Sequence, residues 1–165
     1  MKKCVLAATA SVAVLCGVPA WADDNLVKFE GAVGVHPVAN TGVVNTVRGV
    51  PPGGRPWGIQ KLKVTVKTDG RISATGEGLV LGGTDAAGTR GGVLQVAATL
   101  FCGTNDGFTS PAADISLGGD FDIRGTLTGA DGATPPNPCN APTLLIRNAT
   151  GGVLGNWFAV GTFAD

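Results

Sequence analysis

Few side chains in this 165-residue sequence could carry chemistry, and their spacing restricts what that chemistry would be. His36 is the single histidine, so a Ser-His-Asp arrangement would have to use it. It sits in the tetrapeptide VHPV, after a predicted strand, and no serine lies in a nucleophile-elbow pattern. It reads as a loop histidine, and zinc would need more ligands than the sequence offers. Asp120 and Asp122 flank Phe121, which would place two carboxylates on one strand face, about 7 Å apart. Inverting glycosidases hold their carboxylates near that separation. The same alternation with Phe121 and Ile123 more simply describes two acids that face water. Glu77, between Gly76 and Gly78, is read in the same way. Asp85, Asp106, Asp114 and Asp131 fall in loops and could offer oxygen ligands to calcium, but none follows a calcium-loop spacing. No catalytic residue, metal site or cofactor is therefore expected, and the chain reads as a non-enzyme.

The cationic loops are more suggestive. Gly88-Thr89-Arg90-Gly91-Gly92 could fold into a nest of backbone N–H groups around an anion, with Arg90 beside it. It lacks the Gly-Lys-Ser/Thr of a phosphate loop, and a plain hairpin loop is the simpler reading. Arg55-Pro56-Trp57 follows prolines and glycines. Its tryptophan either folds back to plug the end of the core or stands out beside the arginine for a ligand. Trp157-Phe158 near the chain's end could join it. Arg55, Trp57, Arg90 and Trp157 are thus the candidate ligand contacts, with protein or carbohydrate as the partner class. Asn148-Ala149-Thr150 fits a glycosylation sequon, given little weight here because the leader described next has a bacterial look.

Residues 1–22 read as an export signal. Lys2 and Lys3 precede an uncharged apolar stretch, Val5–Val18, too short to span a bilayer, and Ala20-Trp21-Ala22 supplies small residues at a cleavage site. A lipoprotein signal ending at Cys16 is the rival, opposed by the bulky Leu15 before the cysteine. Nothing else is long and apolar enough for a membrane span, so the expected location is secreted or periplasmic. Removing 22 of 165 residues leaves 143, and two of the 12 basic residues go with the signal. Ten then face 12 acids, a net charge of −2 that gives no basis for nucleic-acid binding.

Cys102 and Cys139 are the cysteines that remain after such a cleavage. In an exported chain two cysteines most simply form one disulfide. A metal site would need further ligands, and a redox pair is more often Cys-x-x-Cys.

Glycine numbers 27 and proline 10, yet valine, leucine, isoleucine and phenylalanine are plentiful in short runs between them. That pattern predicts a single all-β domain over residues 23–165, an antiparallel sandwich or barrel-like fold of roughly eight strands. Val93–Cys102 (VLQVAATLFC) is the longest apolar run after the signal segment and reads as a central strand. A helix is the competing reading, against which glycines stand close on both sides. Ile59–Lys67 alternates most cleanly, with Leu62, Val64 and Val66 inward and lysines outward. Asp69-Gly70 then predicts a hairpin into Arg71–Leu81, with Ile72, Ala74, Gly76, Gly78 and Val80 on one face. Leu26–Val35 is a predicted first strand with Val27, Phe29, Gly31 and Val33 inward, and Val43–Val50 a second. Ala113–Leu117 and Phe121–Thr128 form an expected hairpin around Gly118-Gly119, as do Thr143–Asn148 and Val153–Phe163 around Gly151-Gly152.

The opening VKFEGAV and the alternating last strand resemble fimbrial pilin subunits, which are exported, disulfide-bonded sandwiches completed by a donor strand. The resemblance covers about a tenth of the chain. It departs from the pattern in two ways: the cysteines lie in the second half, and there is no tyrosine near the end. It implies a polymer subunit exchanging strands through Leu26–Val35. That stands beside a non-enzymatic binding or surface-associated protein, the leading expectation, and a less favoured hydrolase built on Asp120 and Asp122 or on His36.

Overall fold

A computed structural model describes residues 24–37, 45–104 and 107–163. The proposed signal segment, Asp106 and part of Val43–Val50 lie outside these. The described chain is nearly all β. Eleven strands follow in order: β1 Asn25–Gly34, β2 Trp57–Gly58, β3 Lys61–Lys67, β4 Arg71–Glu77, β5 Val80–Leu81, β6 Gln95–Phe101, β7 Phe108–Thr109, β8 Ala113–Asp114, β9 Phe121–Thr126, β10 Thr143–Asn148 and β11 Trp157–Phe163.

The alternating pattern of β3 does what period two requires. Leu62, Val64 and Val66 are buried, while Lys61 and Lys63 face water. Its partner β4 returns through the Asp69-Gly70 turn in the register Leu62↔Gly76 and Val64↔Ala74. All the longer strands join one antiparallel sheet in the order β7-β6-β10-β11-β1-β3-β4-β9, with β8 on the same edge of β6 as β7. The ends of this sheet meet. Thr109 and Thr128 exchange both backbone hydrogen bonds, at 2.9 and 3.1 Å, and Ile115 bridges Phe121. The architecture is therefore a sheet nearly closed into a barrel, which decides between sandwich and barrel. The core inside it includes Phe29, Val64, Val66, Val96, Leu100, Ile123, Leu144 and Ile146, all fully buried.

Val93–Cys102 supplies the central strand. From Val96 to Cys102 every residue is buried, so β6 is covered on both faces. Leu94 falls before the strand and is exposed.

Several expected boundaries shift for identifiable reasons. In β1 the pairing slips between Phe29 and Ala32, where Gly31 takes φ 106°, a conformation that favours glycine. The bulge turns Val33 outward, against the expected inward face. The Arg71–Leu81 strand breaks at Gly78 (φ 67°), so Leu79 and Leu81 are buried in place of Val80. The described part of Val43–Val50 is a turn closed by one Val47↔Val50 bridge, not a strand. Ala113–Asp114 pairs chiefly with β6, and the expected hairpin with β9 is reduced to the single Ile115↔Phe121 bridge. The β10–β11 hairpin forms, but β11 begins at Trp157 rather than Val153, and Val153 and Leu154 stay exposed in the turn.

Cys102 and Cys139 are joined in a disulfide, 37 residues apart in sequence. Arg48 binds both sides of it. Its guanidinium donates to the carbonyls of Gly103 (2.6 Å) and Ala141 (2.9 Å) and to the Thr143 hydroxyl (3.2 Å). This exposed clamp satisfies loop carbonyls that no strand pairs. Replacing Arg48 with alanine is expected to cost about 1 kcal/mol, since charge-assisted bonds are worth more than neutral ones but here face solvent. Urea unfolding of the oxidised protein, with and without R48A, measures it.

Candidate functional site

The end of the barrel opposite the disulfide gathers the end of β1, the start of β3, the end of β4, the start of β6, the end of β10 and the start of β11. Here the two-residue ribbon of β2 and β5 pairs Trp57 with Leu81 and Gly58 with Val80. It brings the loop Pro51–Trp57 against the loop Gly82–Gly92. The ribbon is anchored to the barrel by Trp57 N–H donating to the Val35 carbonyl at 2.8 Å. Gly82 N–H adds a second link to the Pro56 carbonyl, also at 2.8 Å.

Between these loops lies a cleft of about 590 Å³. Arg55, Trp57 and Arg90 all line it, joined by Thr84, Val93 and Asn148. Three of the four expected contact residues are thus brought together. The fourth, Trp157, is buried behind the cleft. Its ring N–H donates to the Asn45 carbonyl, and its backbone carbonyl accepts from Gly53, so it holds the loop that carries Arg55. Trp57 is also buried. Its ring stacks on Phe158 with centroids 4.2 Å apart, so it plugs the core and only borders the cleft.

The cleft is cationic. Arg55 is exposed, Arg90 is half-buried, and among the described residues neither has an ion pair. Among the described residues no carboxylate lines the cleft. Nη1 of Arg90 donates to the carbonyls of Val93 and Gly91. Its Nε is shielded from solvent and has no acceptor among the described residues. The Arg90 guanidinium is thus held on one side and unmatched on the other, and a buried donor without a partner costs free energy. Arg147 lies next in sequence to Asn148. Burial lowers its pKa from the ordinary arginine value, and it donates to the Gly155 carbonyl at 3.0 Å.

The other candidates are placed apart. Asp120 precedes β9 and accepts from Gly78 N–H at 3.0 Å, fastening the turn after β4. Asp122 points outward and pairs with Arg124 at 3.1 Å. Glu77 pairs with Lys61 at 2.7 Å, and that bond raises the lysine's pKa. His36 is exposed, and its carbonyl accepts from the Asn45 side chain. Asp114 accepts from Gln95, and Asp131 closes a turn onto Ala133 N–H. Asp85 is exposed beside Thr84. Among the described residues no three metal-binding side chains cluster. A second hollow, about 470 Å³, lies near the disulfide end by Phe108, Asp131 and Pro136, without a cationic group.

The contributions of Thr84, Val93 and Asn148 were not legible beforehand. Asn148 drew notice only as a sequon, and nothing local in the sequence ties it to Arg55. Thr150, two residues on, uses its hydroxyl to accept the N–H groups of Leu94 and Gln95, the residues that follow Val93.

Comparison with models of known families, with curated proteins and with solved structures gives no match. Among the described residues no helix is long and apolar enough to cross a membrane. The intramolecular disulfide points to an oxidising compartment.

Proposed function

We propose that this is an exported, non-enzymatic binding protein that takes an anionic ligand in the cleft between Arg55 and Arg90. The observation that carries the reading is the convergence on one concave site of two arginines that, among the described residues, have no ion pair and no carboxylate beside them in the lining. Two guanidiniums in such a site favour carboxylate, sulfate or phosphate groups. The disulfide and the leader-like first 22 residues support a secreted or periplasmic setting.

Two further features favour binding over the alternatives. Strand β1, the segment a strand-exchanging subunit would donate or accept, is hydrogen-bonded on both edges by β3 and β11 of its own chain. Asp120 and Asp122, the acids a hydrolase would need, are engaged in separate structural bonds.

Calorimetric titration of the folded protein with small organic anions tests the reading. A carboxylate or phosphate ligand should bind with a stoichiometry of one, and Arg55→Gln should weaken it about tenfold, or about 1.4 kcal/mol. Arg90→Gln should do the same, with unfolding curves recorded alongside because that side chain also holds the Val93 loop. Equal affinity in wild type and both variants would overturn the assignment of the site.

A further inference from the structure

Four aliphatic side chains stand exposed around the same end of the barrel. Leu94 is 53% exposed, Leu117 66%, Val153 71% and Leu154 40%. They are four of the six large hydrophobic residues that are exposed among those described. Scattered singly they would need no explanation, but all four occupy loops at the cleft end. Leu94 directly follows Val93, a cleft residue. The Leu117 carbonyl accepts the Arg90 backbone N–H at 3.1 Å. Leu154 precedes Gly155, whose N–H donates to the carbonyl of Asn148, another cleft residue, at 2.8 Å. Two backbone hydrogen bonds and the Val93–Leu94 peptide bond therefore tie this rim to the cleft.

A ligand that matches both features needs a negative head and an apolar body. A sugar acid fits less well, because sugars pack on open aromatic faces and the Trp57 ring is stacked against Phe158. An anionic bilayer also fits less well. Asp85, Asp114 and Asp120 are exposed at this end and leave no broad cationic face to be drawn to a charged surface. We infer that the ligand is a single-chain anionic amphiphile, an acyl carboxylate, with its head between Arg55 and Arg90 and its chain laid across Leu94 and Leu154. The inference rests on the anion-binding reading above and adds the tail. Burying the tail would remove the exposed leucines from water, the non-directional gain that scales with apolar area.

The test is titration of the full-length oxidised protein with hexanoate, octanoate and decanoate below their micelle concentrations, with glucuronate and phosphatidylglycerol vesicles in parallel. Each fully buried methylene multiplies affinity roughly fourfold. An open rim buries only part of each, so decanoate is expected to bind about tenfold or more tightly than hexanoate. The double variant L94S/L154S, altered only at exposed positions, should flatten this series, weakening decanoate far more than hexanoate. R55Q should weaken the whole series. A flat series with tight glucuronate binding would overturn the tail and leave the anion cleft standing. Absence of binding by every anion would remove both readings. Vesicle binding without binding of monomeric decanoate would replace the amphiphile with a membrane surface.

Discussion

Reducing the Cys102–Cys139 bridge is expected to lower the melting temperature by roughly 10 °C. The bridge closes a 37-residue loop. The chain-entropy account assigns about 4 kcal/mol to a loop of that length, and a domain of this size loses a few degrees per kcal/mol. The loop is worth closing because of what it contains. It runs from the end of β6 through β7, β8 and β9 to the start of β10, so it includes both segments that meet at the barrel's seam. Residues 129–142 form its return, and there the sheet supplies few partners. Without the bridge that stretch is held mainly by Arg48 and by one bond from Gly103 N–H to the Asn140 carbonyl. Cys102 is buried, so reductant should act slowly on the native state. The comparison is therefore best made with C102S/C139S as well as with reduced wild type. Calorimetric melting of the three samples gives the answer. An unchanged transition, or two free thiols in folded protein, would refute the expectation.

A second large effect is expected at Gly76. This residue lies directly opposite Phe121 in the β4–β9 ladder, and the phenyl ring lies over it. A Cβ on Gly76 would sit 2.2 Å from Cζ and 2.3 Å from Cε1 of that ring. Gly76→Ala should therefore cost about 2 kcal/mol, as overpacking does when the neighbour cannot yield. Phe121→Ala should cost about 3 kcal/mol, for lost burial and the cavity left behind. The decisive measurement is the double variant. If the clash is with the ring, removing the ring relieves it, and the two losses should fall short of additivity by at least about 1 kcal/mol. Strictly additive losses in urea unfolding would mean that Gly76 matters for some other reason. The position bears on the seam too, because Phe121 is the residue that Ile115 bridges.

Strands with strict alternation were legible in advance. Leu62, Val64 and Val66 announced β3, and Asp69-Gly70 announced its return. What sequence periodicity could not register were interruptions made by single glycines. Gly31 adds one residue to β1 and turns Val33 to solvent, while Gly78 ends β4 and shifts the buried set to Leu79 and Leu81. A period-two pattern carries no mark for either. Closure into a barrel was equally out of reach, because it depends on Thr109 meeting Thr128 and on β1 pairing with β11 across the whole chain. The disulfide was readable because only one pairing is available to the two cysteines outside the first 22 residues. The candidate site was readable in pieces. Arg55-Pro56-Trp57 and Gly88–Gly92 each drew attention, but their meeting depends on the ribbon Trp57↔Leu81 and Gly58↔Val80, four residues with no local signature. Whether Trp57 would plug or protrude was left open by its sequence and is decided by Phe158, a hundred residues away.

The place of β1 between β3 and β11 governs how the chain can be made. A ribosome or an export channel releases residues in order, and β1 emerges early with only β3 soon available beside it. Its other edge stays bare until Trp157–Phe163 arrives. Strand β10 waits for the same segment. The barrel therefore cannot close stepwise behind the emerging chain, and assembly is held until the final strand is present. Pairings this distant in sequence are also the slow kind, since the loop entropy must be lost before the contacts form. A chain whose closure depends on β11 therefore completes its sheet only after Trp157–Phe163 has been released.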